Sequence, residues 1–128
     1  MLNVYVDQSP QYIHDYVFRV CDYLGINGYD ADLVVTPKRE MEADIVGECY
    51  GFRDRVDIEY LSCKLPRSEK LITIAHEMVH ARQILSGEHI RLNNRWHGSE
   101  YVGFDQEEFY PWEEEAYRLE RIIYEECR

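Results

Sequence analysis

No two of the four cysteines, Cys21, Cys49, Cys63 and Cys127, form a CxxC pair. Zinc-ribbon and dithiol redox signatures are therefore excluded. Cys21 falls on the apolar side of a helical pattern, where a buried reduced thiol is the plain expectation. Basic charge is also scarce: 14 Lys and Arg stand against 25 Asp and Glu, a net charge of −11 with a pI near 4.8. Phosphate backbones demand clustered cations, so nucleic acid is not an expected partner. The acidity favours solubility first and cationic or neutral substrates second. No apolar run reaches the length needed to cross a bilayer, so no membrane partner is expected. The opening "MLNVYVDQSP" has neither the basic start nor the apolar stretch of a secretory signal, and a cytoplasmic, reducing location is the expectation. Internal repeats, low-complexity tracts and interdomain linkers are absent as well.

What is present describes a single domain over residues 1–128, with a monomer as the working expectation. With 45% hydrophobic residues, a core forms without disulfides or metal being needed for folding alone. Eleven tyrosines suit half-buried surfaces and clefts, because each joins an apolar ring to a polar tip. Residues 2–6 alternate as a short strand. Ser9 and Pro10 then read as N-cap and first helical residue. Ile13, Val17, Val20, Cys21 and Leu24 follow at helical spacing until Gly25. Strands are expected at 31–36, closed by Pro37, at 45–50 and at 55–61, with "GFRD" as the turn between the last two. In "RVDIEYL" the apolar Val56, Ile58 and Tyr60 alternate with Asp57 and Glu59, which suits the border of a small antiparallel sheet. A central helix spans about 69–86 and stops at Gly87. Residues 88–110, with Gly98 and Gly103, read as irregular, a length that is unusual unless functional or disordered. Pro111 opens a last helix with Trp112, Ala116, Leu119, Ile122 and Ile123 on one side.

The chemistry sits in the central helix, at "TIAHEMVHARQ". Residues four apart share a helical face, so His76 and His80 project side by side, at a spacing that matches two corners of a zinc tetrahedron. Glu77 is rotated about 100° from His76, beside the site rather than in it, where it can act as a general base. Chance also produces such pairs. Here, however, Ile72, Ile74, Ala75, Met78 and Val79 make the helix apolar nearly all round. Two histidines and a glutamate are costly on a buried helix unless paired or coordinated.

A catalytic zinc needs a third protein ligand. Gln83 and Ser86 stand where a metzincin would have glycine and histidine, which removes that continuation. His97 in "RWHGSEY" and a carboxylate in "YPWEEEAYRLE" remain. Both Glu113 and Glu115 flank the apolar stripe of the last helix, while Glu114 points outward. The plainer reading of three glutamates in a first turn is a favourable interaction with the helix dipole.

"HEMVHARQ", "RWHG" and "YPWEEEAY" together resemble small single-domain zincins of the gluzincin type, minimal metallopeptidase-like proteins of phages and bacteria distantly similar to the ImmA/IrrE peptidases. The resemblance covers roughly residues 61–120. It implies an α+β zincin-like domain with an N-terminal helix, a small, mostly antiparallel sheet, the HExxH helix and a C-terminal helix that carries a glutamate ligand. Carried onto this chain with Ala116 as the small residue, that ligand is Glu113, and Glu115 becomes a group that supports the ligands. The chain departs from the pattern at Tyr117, where many relatives have aspartate. The alternative with His97 as ligand resembles the SprT-like zincins, which act near DNA; the acidic charge speaks against it.

The expected function is hydrolysis of a peptide or protein substrate by a zinc metallopeptidase. Zinc lowers the pKa of its bound water, and Glu77 takes the proton and passes it to the leaving amine. The oxyanion needs a further donor; Tyr110 is the first candidate, with Tyr101 and His97 behind it. The strand at 55–61 offers an edge on which an extended peptide can add as another strand, although its charges equally protect an edge from aggregation. The other readings are a zinc-binding regulatory or interaction module with little general proteolysis, and a binding protein without metal.

Overall fold

The computed structural model describes residues 1–101 and 110–128. The chain is α+β. Strand β1 (Asn3–Val6) leads into helix α1 (Gln11–Leu24), and β2 (Asp32–Lys38), β3 (Gly47–Phe52) and β4 (Arg55–Leu61) complete a four-stranded sheet in the order β1-β2-β4-β3. Helix α2 (Arg67–Ser86) follows. Short strands β5 (His89–Ile90), β6 (Arg95–Trp96) and β7 (Ser99–Glu100) form a second, antiparallel sheet before helix α3 (Pro111–Cys127).

The larger sheet is mixed, which corrects the mostly antiparallel expectation. β1 pairs with β2 and β2 with β4 in parallel, and only β3 and β4 are antiparallel. Alternation in "RVDIEYL" assigned the faces well: Val56, Ile58 and Tyr60 are buried. It did not locate the border. β4 lies between β2 and β3, so the open edge next to it in the chain is β3. Side-chain period reports which face of a sheet is covered and says nothing about the number of neighbours.

Element ends follow local chemistry, with two departures. Gly25 and Gly87 end α1 and α2 in left-handed conformations, φ 69° and 80°, which glycine adopts without steric cost. Pro10, not Ser9, occupies the N-cap of α1, while Ser9 Oγ bonds the Asp7 carbonyl at 2.8 Å and Tyr60 Oη at 2.6 Å. Pro37 is inside β2 rather than closing it. The pairing with β1 ends at Val35, so the missing N–H of Pro37 faces no β1 partner.

α1, α2 and one face of the sheet share a core built from Ile13, Val17, Val20, Leu33, Val35, Ile58, Ile74 and Met78, among others. Tyr16, fully buried, donates to the Leu71 carbonyl at 2.8 Å and so ties α1 to α2. All four cysteines are free, and Cys21 is buried as expected. Ile122, expected on the packed side of α3, is 47% exposed. Residues 88–101 are not irregular, since they carry β5 to β7; the remainder of that segment before Tyr110, including Gly103, lies outside the described residues. Among the described residues no helix is long and apolar enough to cross a membrane.

Candidate metal centre

The packing of α3 against α2 brings together residues far apart in the chain. His76 Nε2 and His80 Nε2 are 3.3 Å apart. Glu113 Oε1 meets both, at 3.1 Å from His76 and 2.7 Å from His80. One ligand atom from each of the three lies within 4.8 Å of the others, a group that can hold a metal ion.

The far side of each imidazole is fixed as well. Gln83 Nε2 donates to the Trp112 carbonyl at 2.9 Å and to Glu115 Oε1 at 3.2 Å. Its Oε1 is thereby turned to His80 Nδ1, 2.8 Å away. An amide oxygen only accepts, so the proton of His80 sits on Nδ1 and Nε2 presents a lone pair. Glu120 Oε2 accepts from His76 Nδ1 at 2.9 Å in the same way. Two imidazole lone pairs and a carboxylate then converge on one point, an arrangement that requires a cation or a proton between them. Without metal it is a proton. Burial pulls the pKa of His76 down, but Glu113 and Glu120 outweigh it and raise it to about 9. Burial would raise the Glu113 carboxyl, yet the hydrogen bonds from His76 and His80 hold it far below the usual carboxylate range.

Glu77 is 7% exposed and has no hydrogen-bond partner among the described residues. Burial raises its pKa, partly offset by His80 and His76. It faces β3 at Gly47, where a Cβ would lie 2.7 Å from Thr73 Cγ2 and 3.0 Å from Glu77 Oε2. Only glycine permits the strand to pass so close to the carboxylate. A cleft of about 810 Å³ opens over this group, with residues 44–50 on one wall and Tyr117 and Glu120 on the other.

The other sequence candidates lie elsewhere. Glu115 bonds Gln83 and Arg82 Nη2, the latter at 3.4 Å, so it supports a histidine through Gln83. His97 pairs with Glu88 at 3.2 Å and packs on Trp96 at 4.5 Å; it is not in the His76–His80–Glu113 group. Tyr110 is the N-cap of α3, its ring 4.9 Å from Trp112 and 5.4 Å from Tyr101. Neither Tyr110, Tyr101 nor His97 lines the cleft. Tyr117 does, with its ring 4.7 Å from that of His76.

Gln83, Glu120, Gly47, Arg91 and Tyr117 were missed as site residues. Gln83 carried a signal, a polar residue on the all-round buried helix one turn after His80. Glu120 carried another, two turns after Glu113 and hence on the same face of α3. Gly47 and Arg91 come from a strand and from the short 3₁₀ turn at Arg91–Asn93, and their place depends on tertiary structure alone. No protein-family model, curated protein or solved structure matches this chain.

Proposed function

We propose that the chain is a zinc-dependent peptidase of the gluzincin type, with His76, His80 and Glu113 as metal ligands. One observation carries the reading: three lone-pair donors converge beside a buried carboxylate, Glu77, that has no hydrogen-bond partner among the described residues. A purely structural metal site has no use for such a carboxylate. Tetrahedral zinc with bonds near 2.0–2.1 Å places its ligand atoms about 3.3 Å apart. The separations of 3.3, 3.1 and 2.7 Å need only small adjustments to reach that. Two nitrogens and one carboxylate oxygen, with an open cleft in front, match a catalytic rather than a structural zinc.

When bound, zinc supplies Lewis acidity, which polarises a peptide carbonyl and makes water a nucleophile near neutral pH. Glu77 accepts the proton of the attacking water and returns it to the leaving amine; its burial makes it a stronger base than an exposed carboxylate. Gln83 and Glu120 keep each ring oriented and its ligating nitrogen deprotonated. Tyr117, which lines the cleft with its ring beside that of His76, is the candidate phenol for donation to the developing oxyanion. The peptide lies along β3. Leu61 N–H donates to the Val46 carbonyl, so by antiparallel alternation Gly47 and Cys49 turn their backbone groups to the open edge.

A second reading, a metal-binding interaction module with little general proteolysis, is favoured by Arg91. Its Nη1 already donates to the Cys49 carbonyl, which occupies part of that edge.

Zinc per chain, by elemental analysis of purified protein, tests the centre. One zinc is expected in wild type and in Glu115→Ala, with loss in His80→Ala and Glu113→Ala that keep a native circular dichroism spectrum. Hydrolysis of a peptide library by zinc-loaded protein, abolished in Glu77→Gln with zinc retained, tests the chemistry. Zinc without hydrolysis would select the interaction module.

A further inference from the structure

A second cavity, of about 380 Å³, opens between the β3–β4 turn and the β5 region. Its walls include Phe52, Ile84, Ile90 and Leu92. Three of these are left exposed, Phe52 at 69%, Leu92 at 87% and Ile90 at 41%, in a chain of net charge −11. Clustered apolar surface on a charged protein marks a place where something binds.

The cavity continues the metal cleft. Arg91 lines both, and its guanidinium caps the open-edge carbonyl of Cys49 between them. β3 passes from the cleft, at Gly47 beside Glu77, to the second cavity, at Gly51 and Phe52. His89, which also lines the cavity, is 5% exposed, with its ring stacked on Trp112 at 4.1 Å, and adds an aromatic surface to the wall.

Resting on the peptidase reading, we infer that this cavity is a remote specificity subsite. It takes one large apolar side chain of an extended peptide that runs along the open edge of β3 through the metal cleft. Gly47 and Gly51 are four residues apart, a span of about 13 Å along a strand. An extended peptide has the same rise, so the anchoring side chain belongs about four residues from the cleaved bond. The substrate class is thus an extended polypeptide segment with leucine, isoleucine or phenylalanine at that distance. To dock, its backbone displaces the Arg91 guanidinium from the Cys49 carbonyl and takes over that hydrogen bond.

A positional-scanning library of decapeptides, cleaved by zinc-loaded protein, reads the preference directly. The expected result is that leucine at the anchor position exceeds serine by at least about tenfold in kcat/KM, mostly through KM. In the double variant Phe52→Ser/Leu92→Ser that preference disappears, while cleavage of the serine peptide is unchanged. Both substituted side chains are exposed, so folding is retained. Independently of hydrolysis, N-acetyl-leucine amide at millimolar concentration is titrated into ¹⁵N-labelled protein. Amide shifts are expected at Phe52, Ile90 and Leu92, and not with N-acetyl-serine amide. Leucine-specific shifts without any hydrolysis would remove the peptidase reading and leave the cavity as a recognition site. Hydrolysis without preference at that position, a preference that survives the double variant, or the absence of both preference and shifts would overturn the subsite.

Discussion

Single residues decide how Glu77 is held. Gly47 tests this, because the steric argument is local and carries a sign. A methyl group added there meets Thr73 Cγ2 at 2.7 Å and Glu77 Oε2 at 3.0 Å, distances at which something must move. Thr73 is on the same helix as His76 and His80, and the carboxylate is the softer of the two neighbours. Gly47→Ala is therefore expected to keep one zinc per chain, lose about 1–2 kcal/mol of stability through overpacking, and lower kcat at least about tenfold by displacing the carboxylate. Elemental analysis with steady-state kinetics checks it; an unchanged kcat would show that Glu77 tolerates displacement. The pairing of His76 with His80 was legible in the sequence, because a spacing of four on a helix converts directly into a shared face. Gly47 was invisible, because the contact it permits joins a strand to a helix.

At the scale of elements, α3 carries Glu113, the proposed third ligand, and is fastened to α2 by Gln83. This one amide accepts from His80 on α2, donates to the Trp112 carbonyl at the start of α3, and donates to Glu115 one turn further on. Gln83→Leu keeps the bulk and removes all three bonds. It leaves the buried His80 Nδ1 without its partner, which costs about 1–3 kcal/mol, while the Trp112 carbonyl, inside α3, keeps its helical bond. Zinc affinity is expected to fall about 10–100-fold, the usual effect of losing a bond that orients a ligand. Competition with a chromophoric chelator measures the affinity, and urea unfolding of the metal-free protein the stability. A loss of stability with zinc affinity intact would make Gln83 a packing residue only. Helix positions were legible to within two residues, because the stops and apolar spacing are local. Strand neighbours were not. The alternation in 55–61 fits an interior strand as well as an edge, and the parallel pairing follows from the α1 crossover that brings β2 back beside β1.

For the whole molecule, the metal-free protein carries two histidines whose pKa values are shifted in opposite directions. Burial, with Arg91 adding to it, lowers the pKa of His89 from 6.5 to about 4; its ring is stacked on Trp112 at 4.1 Å. The unfolded chain binds that proton below pH 6.5 and the folded chain does not. Stability is therefore lost as pH falls from 6.5 to 4, by about 3 kcal/mol for a shift of this size. His76 behaves oppositely. Its pKa is raised to about 9, so its contribution is fully present below pH 6.5 and lost as pH rises through 9. The lowered carboxyl of Glu113 is the same contact seen from its other side. These two groups alone give the metal-free protein a stability maximum near pH 6.5. His89→Phe keeps an aromatic ring against Trp112 and removes the titration. Urea unfolding at 0.5 M salt, which screens the repulsion of a −11 chain, is expected to show the variant losing less stability than wild type between pH 6.5 and 4.5. Above pH 6.5 the two should fall in parallel, because His76 is unchanged. At the proposed zinc centre the alkaline limb is expected to reverse, since binding must displace the His76 proton. Affinity is then expected to rise with pH up to about 9, with close to one proton released per zinc at pH 7, read by calorimetry in buffers of different ionisation enthalpy. Parallel acid limbs in wild type and variant would mean that His89 takes up its proton in the folded state without penalty.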